Sequence, residues 1–266
     1  MILSFNIEYR TNWGEEVKLA GLSTESTPMY TTDGIYWTAE VELEVPQEGL
    51  TIHYSYQIEQ NGIVIRKEWN NFPRCLFLSG TPRKKYRIND CWKNIPEQLY
   101  LYSSAFTEAL LSHPERVDIP QGYKKGLIIK AYAPRINKDY CLAICGNQKA
   151  LGNWDPEKAV LMSDSNFPEW QVELDASKLK YPLEYKFILC HKQERKIDCW
   201  EKNPNRYLAD PEIKTNETLV ISDRYVYFDI PMWKGAGIAI PVFSLKSEKS
   251  FGVGDFGDLK RMIDWA

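Results

Sequence analysis

Apolar and polar residues alternate along most of this chain. Phe5, Ile7 and Tyr9 alternate with polar partners, and Val17, Leu19 and Gly21 resume the rhythm after the turn TNWGEE. IYWTAEVELEV (35–45) and IHYSYQI (52–58) alternate again. Successive side chains of a strand point to opposite faces, so each run predicts a strand with one face toward a core. Gly, Asn, Asp and Pro separate the runs. Short strands at that spacing predict an antiparallel sandwich or barrel.

The same order returns in the second half. KGLIIKAYAP (125–134) and YCLAICGN (140–147) are followed by EWQVEL (169–174), LEYKFIL (183–189) and YVYFDIP (225–231). Laid over the first set, Gly21 falls on Gly146, Trp37 on Trp170, Tyr54 on Tyr185 and Trp69 on Trp200, at offsets of 125, 133, 131 and 131 residues. Near-constant offsets predict two diverged copies of one all-β domain. Trp37 and Trp170, inside alternating strands, are expected in the cores.

Between the copies, PEQLYLYSSAFTEALLSH (96–113) carries apolar residues at steps of three and four, which predicts a short helix and connector. After about residue 231 the texture changes. GAGIAIPVFSL (235–245) reads as a glycine-rich stretch and a buried-type strand, and SFGVGDFGDLKRMIDWA as a turn feeding a helix. The expected partition is 1–90, first sandwich; 91–123, helical connector; 124–231, second sandwich; and 232–266, the opening of a third, unfinished unit. The last helix has no stop signal before Ala266, so a piece of a longer chain is expected.

Composition narrows the function. Of 266 residues 44% are hydrophobic, which suits a soluble globular chain, and the 16 Tyr and 9 Trp favour strands and binding faces. A net charge of −3 argues against nucleic acid or an anionic membrane as partner. No apolar run is long enough for a signal peptide or a membrane span. The six cysteines form no CxxC pair, so neither a metal site nor a cofactor is expected, and reduced thiols in a cytoplasmic protein are.

Two tryptophans stand apart from the core pattern. Trp154 sits in the turn LGNWDPEKAV and Trp200 precedes the turn PNR (204–206). An indole in a turn either folds back as a plug or stands out as a platform. With GNQKALGNWDPEKAVLM, EYKF and WEKNPNR in order, the second copy resembles the starch-binding domains of carbohydrate-binding module family 20. The resemblance implies an immunoglobulin-like sandwich. It also implies a sugar site pairing Trp154 with Trp200, with Lys186 of EYKF as a polar contact. Asn205 and Arg206 are expected to pin the turn, with Asn205 also a candidate sugar contact. The apolar C–H face of glucose stacks on an indole while side-chain donors reach its hydroxyl rim. If stacking covers about 80 Å² of apolar surface per indole, each gains roughly 2 kcal/mol before ordering costs.

The first copy departs from that pattern. GLSTESTPM replaces the tryptophan turn, Ser55 stands at the place of Lys186, and Trp69 alone survives as a candidate for that site. Trp13, in the turn TNWGEE, falls where the family carries an aromatic of a second sugar site; in the second copy Lys138 falls near that place, with Tyr140 and Phe167 as substitutes. Either the copies divide the work, the first through Trp13 and the second through Trp154 and Trp200, or Trp13 only caps the end of the first sandwich.

IAIPVFSLKSEKSFGVGDFGDLKRMIDWA resembles the start of the catalytic domain of glycoside hydrolase family 77, the 4-α-glucanotransferases of amylomaltase type, through Leu245, Ser247, Ser250, Gly252, Gly254, Phe256 and Leu259. That resemblance implies the first strand and helix of a (β/α)₈ barrel. Retaining glycosyl transfer needs two carboxylates about 5 Å apart, and in such barrels they come from later strand ends. Asp255, Asp258 and Asp264 are carboxylates, but Asp258 and Asp264 read as the solvated face of a helix, so no catalytic residue is assigned. The expectation is an α-glucan-binding region, for starch, glycogen or maltodextrin, belonging to a 4-α-glucanotransferase. Its rivals are a non-enzymatic scaffold and the binding region of another starch-active enzyme. The oligomeric state is not legible in the sequence.

Overall fold

The structure, a computed structural model, describes residues 1–81, 84–111, 122–194, 196–230, 240–250 and 252–265, without the side chains of 223 and 224. The chain divides into two compact units, Met1–Asp229 and Ile230–Ala266.

The first unit is all-β. Its first half holds β1 (Ile2–Glu8), β2 (Glu15–Ala20), β3 (Thr27–Pro28), β4 (Tyr36–Glu42), β5 (Leu50–Gln60), β6 (Ile63–Lys67), β7 (Arg74–Leu78) and β8 (Lys85–Cys91). Its second half holds β9 (Lys125–Tyr132), β10 (Tyr140–Gly146), β11 (Val160–Leu161), β12 (Ser163–Asn166), β13 (Glu169–Asp175), β14 (Leu183–His191), β15 (Ile197–Trp200), β16 (Arg206–Leu208) and β17 (Glu217–Tyr225).

The pairing scheme is the same in both halves. β2 pairs with β3 and β5, and β5 also pairs with β6 and β7; β10 pairs with β11 and β14, and β14 with β15 and β16. β1 lies antiparallel to β4 and parallel to β8, as β9 does to β13 and β17. Side chains repeat too. The Trp37 indole donates to the Tyr9 carbonyl at 3.1 Å, just past β1, and the Trp170 indole to the Ala133 carbonyl at 3.2 Å, just past β9. Both tryptophans are buried. A Cβ on Gly21 would come within 2.7 Å of the His53 carbonyl, and one on Gly146 within 2.5 Å of the Glu184 carbonyl. Only glycine permits this approach of the second strand to the fifth and its counterpart.

The two halves share one sheet. β8 pairs in parallel with β17, giving a seven-stranded sheet in the order β12-β13-β9-β17-β8-β1-β4. Ile128 and Val220 join the core formed by Leu3, Phe5, Val17, Leu19, Tyr54 and Tyr56 of the first half. Polar groups cross the junction as well. Ser222 donates to Asp90 at 2.6 Å, Arg87 pairs with Glu217 at 2.9 Å, and Lys130, paired with Glu169 at 2.9 Å, donates to the Cys75 carbonyl.

Three expected elements differ. The helix expected over 96–113 is two short helical turns, Leu99–Tyr102 and Ala105–Leu110, with 112 and 113 outside the described residues. Ser103 interrupts it: its carbonyl accepts from both Phe106 and Thr107, and its hydroxyl donates back to Tyr100. The strand expected over 225–231 lies earlier, as β17, because ETLVISDRY finds parallel partners on both sides. In the second unit, the strand expected over 235–245 is a single helical turn at Val242–Ser244, with 231–239 outside the described residues. The described residues of that unit supply no neighbouring strand to hydrogen-bond one.

The second unit also holds the helix α1 (Phe256–Trp265). The expectation that Asp258 is solvated is corrected: Asp258 is 4% exposed. Its carboxylate accepts from Ser247 and Ser250 at 2.6 and 2.7 Å and pairs with Arg261 at 2.6 Å. Asp255 and Asp258 also exchange backbone-to-carboxylate bonds as a reciprocal helix cap, at 3.1 and 3.0 Å. The Ser247 and Ser250 hydroxyls, then Arg261, hold the Asp258 carboxyl well below its ordinary range. Asp264 is exposed and pairs with Lys260 at 2.9 Å.

Candidate functional site

The turn after β10 is held at both ends by its own residues. Leu151 is buried and anchors it, while Gln148 clamps the neighbouring chain through its amide, accepting from the Lys180 backbone at 2.8 Å and donating to the Lys180 carbonyl at 3.0 Å. Gly152, Asn153 and Trp154 then follow one another in the left-handed region, at φ of 81°, 53° and 62°. Glycine and asparagine adopt that conformation readily. For a tryptophan it costs about 1–2 kcal/mol. Strain held by surrounding structure is a mark of functional sites. Here Asp155 holds the far side, accepting from the Glu157 backbone at 3.2 Å and pairing with Lys158. Lys158 keeps the Asp155 carboxyl below its usual range.

The strained turn sets the Trp154 indole beside Trp200 at the end of β15. The ring centroids lie 6.3 Å apart with planes inclined by 48°. Trp200 is 36% exposed and Trp154 half-buried. Two tilted, accessible indoles form a bent apolar surface. On β14, Tyr185 and Phe187 point into the core, so Lys186 faces the other way and is half-buried. It stands opposite Cys145, and Trp200 opposite Ile188, in register. Burial pushes the Cys145 thiol up, although the backbone N–H groups of Gly146 and Trp154 beside it act the other way.

Asn205 is exposed and donates to Glu184 at 2.8 Å, on the face of β14 that carries Lys186. Arg206 pins its turn as expected, pairing with the buried Glu201 at 3.0 Å. Glu201 in turn accepts from the Phe187 backbone at 2.9 Å. Sequence reading passed over this glutamate, although an acid beside tryptophan in both EWNNFPR and WEKNPNR was a signal.

That glutamate corrects the alignment of Trp69 with Trp200. In the first half Glu68 accepts from the Tyr56 backbone at 3.1 Å and pairs with Arg74 at 2.6 Å, as Glu201 does with Phe187 and Arg206. Trp69 follows its glutamate, whereas Trp200 precedes its own. Lys67, opposite Gln57, therefore occupies the place of Trp200, opposite Ile188. Trp69 is 9% exposed, lies against Tyr102 at 4.9 Å and is approached by the Lys93 ammonium at 5.5 Å, so its ring is not presented to a ligand.

Trp13 is 99% exposed in the turn between β1 and β2. Of its suggested counterparts, Tyr140 packs edge-on against His191, Phe167 against Trp170, and Lys138 is exposed. All six cysteines are thiols.

Residues 129–220, within the second half, match the family described as Starch binding domain (CBM_20). Along its length the chain is similar to the 4-alpha-glucanotransferase DPE2 of Oryza sativa subsp. japonica, with 25% identity over 290 residues covering 99% of this chain. The chain spans 30% of that relative's length. Among solved structures, a family 15 glucoamylase from Hypocrea jecorina matches at 21% identity and a TM-score of 0.33, covering 42% of this chain and 19% of that one. The family 20 module of a maltotetraose-forming amylase from Pseudomonas saccharophila STB07 matches at 18% identity and a TM-score of 0.30, covering 37% of this chain and 99% of that one.

Proposed function

We propose that this chain binds α-1,4-glucans, as starch, glycogen or maltodextrin, through Trp154 and Trp200. The observation that carries the reading is the tilted indole pair, 6.3 Å apart, on a strained turn within residues that match a starch-binding family. Successive glucosyl rings of an α-1,4 chain are inclined to one another, so a bent apolar surface accepts two of them. Lys186 and Asn205 reach the hydroxyl rim. Stacking of roughly 2 kcal/mol per indole, less ordering costs, gives micromolar to millimolar affinity. Trp200→Ala should sharply weaken β-cyclodextrin binding in calorimetry while the circular dichroism spectrum stays unchanged; unchanged affinity would remove the site.

The proposal extends to the parent protein. Similarity to a 4-alpha-glucanotransferase over nearly the whole chain supports a region that holds glucan for such an enzyme. The first half is then a second module of the same type, whose own tryptophan-pair site is lost. The six thiols fit a cytoplasmic location. Incubating the full-length protein with maltotriose tests the parent's activity: glucose and longer maltodextrins are the products expected of transfer.

A further inference from the structure

The shared sheet creates a feature that neither half has alone. β1, β8, β17 and β9 are neighbours and mutually parallel, so all four end on one side of the molecule. The chain leaves them through Tyr9, Trp92, Tyr225 and Tyr132, and the diverging segments enclose a cleft of about 880 Å³. That volume lies within the roughly 300–1,000 Å³ of small-molecule sites.

The floor is charged but internally satisfied. Arg74 is buried and bonded to Glu68 at 2.6 Å, Asp90 at 3.1 Å and the Cys91 carbonyl at 2.6 Å. Arg206 is paired with Glu201, and the Lys93 ammonium donates to the Phe72 carbonyl. On the rim, Glu8 and Arg10 bring opposite charges. The floor's cations are committed to buried acids or carbonyls, and the remaining cation of the described lining, Arg10, stands exposed on the rim with Glu8. The walls instead offer ring faces and neutral hydrogen-bonding groups. Trp92 is half-buried and tilted by 40° against Tyr9 at 4.3 Å, Tyr227 is 54% exposed, and Asn94, also in the lining, is exposed. Aromatic faces with neutral polar groups, above a floor whose cations are already bonded, match an uncharged polyhydroxylated ring.

The cleft and the tryptophan pair draw on one chain segment. Residues 200–206 give Trp200 to the pair and Asn203 and Arg206 to the lining of the cleft, and the Lys202 backbone donates to the Tyr227 carbonyl at 2.7 Å. One chain segment thus serves both surfaces.

We propose that this cleft between the two halves is a second α-glucan site, separate from the Trp154–Trp200 surface, holding a short run of glucosyl units against Trp92 and Tyr227. The ligand class rests on the reading that this chain binds α-glucans; the location rests on the shared sheet alone.

The test is fluorine NMR of the whole chain labelled with 5-fluorotryptophan, with the Trp92 signal assigned through Trp92→Phe. Maltoheptaose should shift the Trp92 signal saturably, both in the unsubstituted chain and in a Trp13→Ala/Trp154→Ala/Trp200→Ala variant. In that variant, Asn94→Ala with Tyr227→Ala should weaken the shift. A static Trp92 signal while those of Trp154 and Trp200 move would overturn the cleft site and leave the proposed function standing. Movement of Trp92 with static Trp154 and Trp200 would do the reverse. A Trp92 shift lost in the triple variant, or one elicited by inorganic phosphate and not by maltoheptaose, would also overturn the assignment.

Discussion

Lys67 stands in the first half where Trp200 stands in the second. Each is the residue before a buried glutamate, and each lies opposite the matching residue of the long central strand, Gln57 or Ile188. On the other side of the glutamate the exchange runs the opposite way, with Trp69 in the first half and Lys202 in the second. Their backbone N–H groups make matching bonds, to the Lys93 and Tyr227 carbonyls. Tryptophan and lysine have changed sides of a common anchor. One half buries its indole and the other exposes it.

The exchange predicts opposite phenotypes for two tryptophans that look alike in sequence. Trp69→Ala removes a buried indole packed on Tyr102 and should cost about 3–5 kcal/mol in urea unfolding. Its β-cyclodextrin affinity should match that of the unsubstituted chain under native conditions. Loss of binding in a folded Trp69→Ala variant would contradict the assignment.

Arg74 neutralises two buried carboxylates at once, Glu68 and Asp90, and Asp90 also accepts from Tyr54 and Tyr56 at 2.9 Å each. Arg74→Met leaves both acids unpaired and should destabilise the chain by about 3–5 kcal/mol. Ser222 of the second half shares Asp90, so both halves should unfold in one transition. Two separated calorimetric transitions would show that the halves are not coupled through this network.

Lys93 gives the stability a dependence on alkaline pH. Burial, and then the neighbouring Arg74, lower its amine from the ordinary 10.5 to about 8. Below about 8 both the folded and unfolded chains hold the proton. Between about 8 and 10.5 the unfolded chain still binds it and the folded chain has released it, so this lysine's contribution to stability rises with pH across that window. The difference between the unsubstituted chain and Lys93→Met, followed by urea unfolding at each pH, isolates the effect. A difference that stays flat would place the titration elsewhere.

If Trp13 also holds glucan, the continuous sheet sets a constant span between it and the tryptophan pair. A long chain touching both surfaces gains avidity, commonly about 10²- to 10⁴-fold when geometry allows, while maltotriose touches one at a time. Trp13→Ala should therefore weaken binding to soluble starch and leave maltotriose binding nearly unchanged. Equal effects on both ligands, or none on either, would make Trp13 a structural residue.

Much of the molecule follows from local pattern. Period-two alternation located β1, β2, β4 and β5 and their counterparts β9, β10, β13 and β14, because a strand's faces are written in its own side chains; the short strands, and β8 and β17, it did not locate. Gly21 and Gly146 marked matching close approaches, since only a missing Cβ fits there, and the inward positions of Trp37 and Trp170 followed from the same alternation. Turn chemistry set Trp154 apart and strand parity faced Lys186 away from the core, both local properties; it was the resemblance of LGNW and EYKF to a starch-binding family that made the two residues site candidates. Tertiary structure decided what local pattern cannot encode. The joining of β8 to β17 is a backbone pairing between segments some 130 residues apart, and backbone hydrogen bonds leave no side-chain signature. The cleft at the strand ends exists only once that pairing forms. Asp258 looked like a solvated helix acid until Ser247, Ser250 and Arg261 folded around it, and Trp69 looked like Trp200 until the buried glutamates set the true register. The sheet junction joins residues far along the chain, the Trp69 assignment turns on one step of register, and Asp258 is enclosed by a preceding loop, Ser247 and Ser250, whose path only the folded backbone specifies.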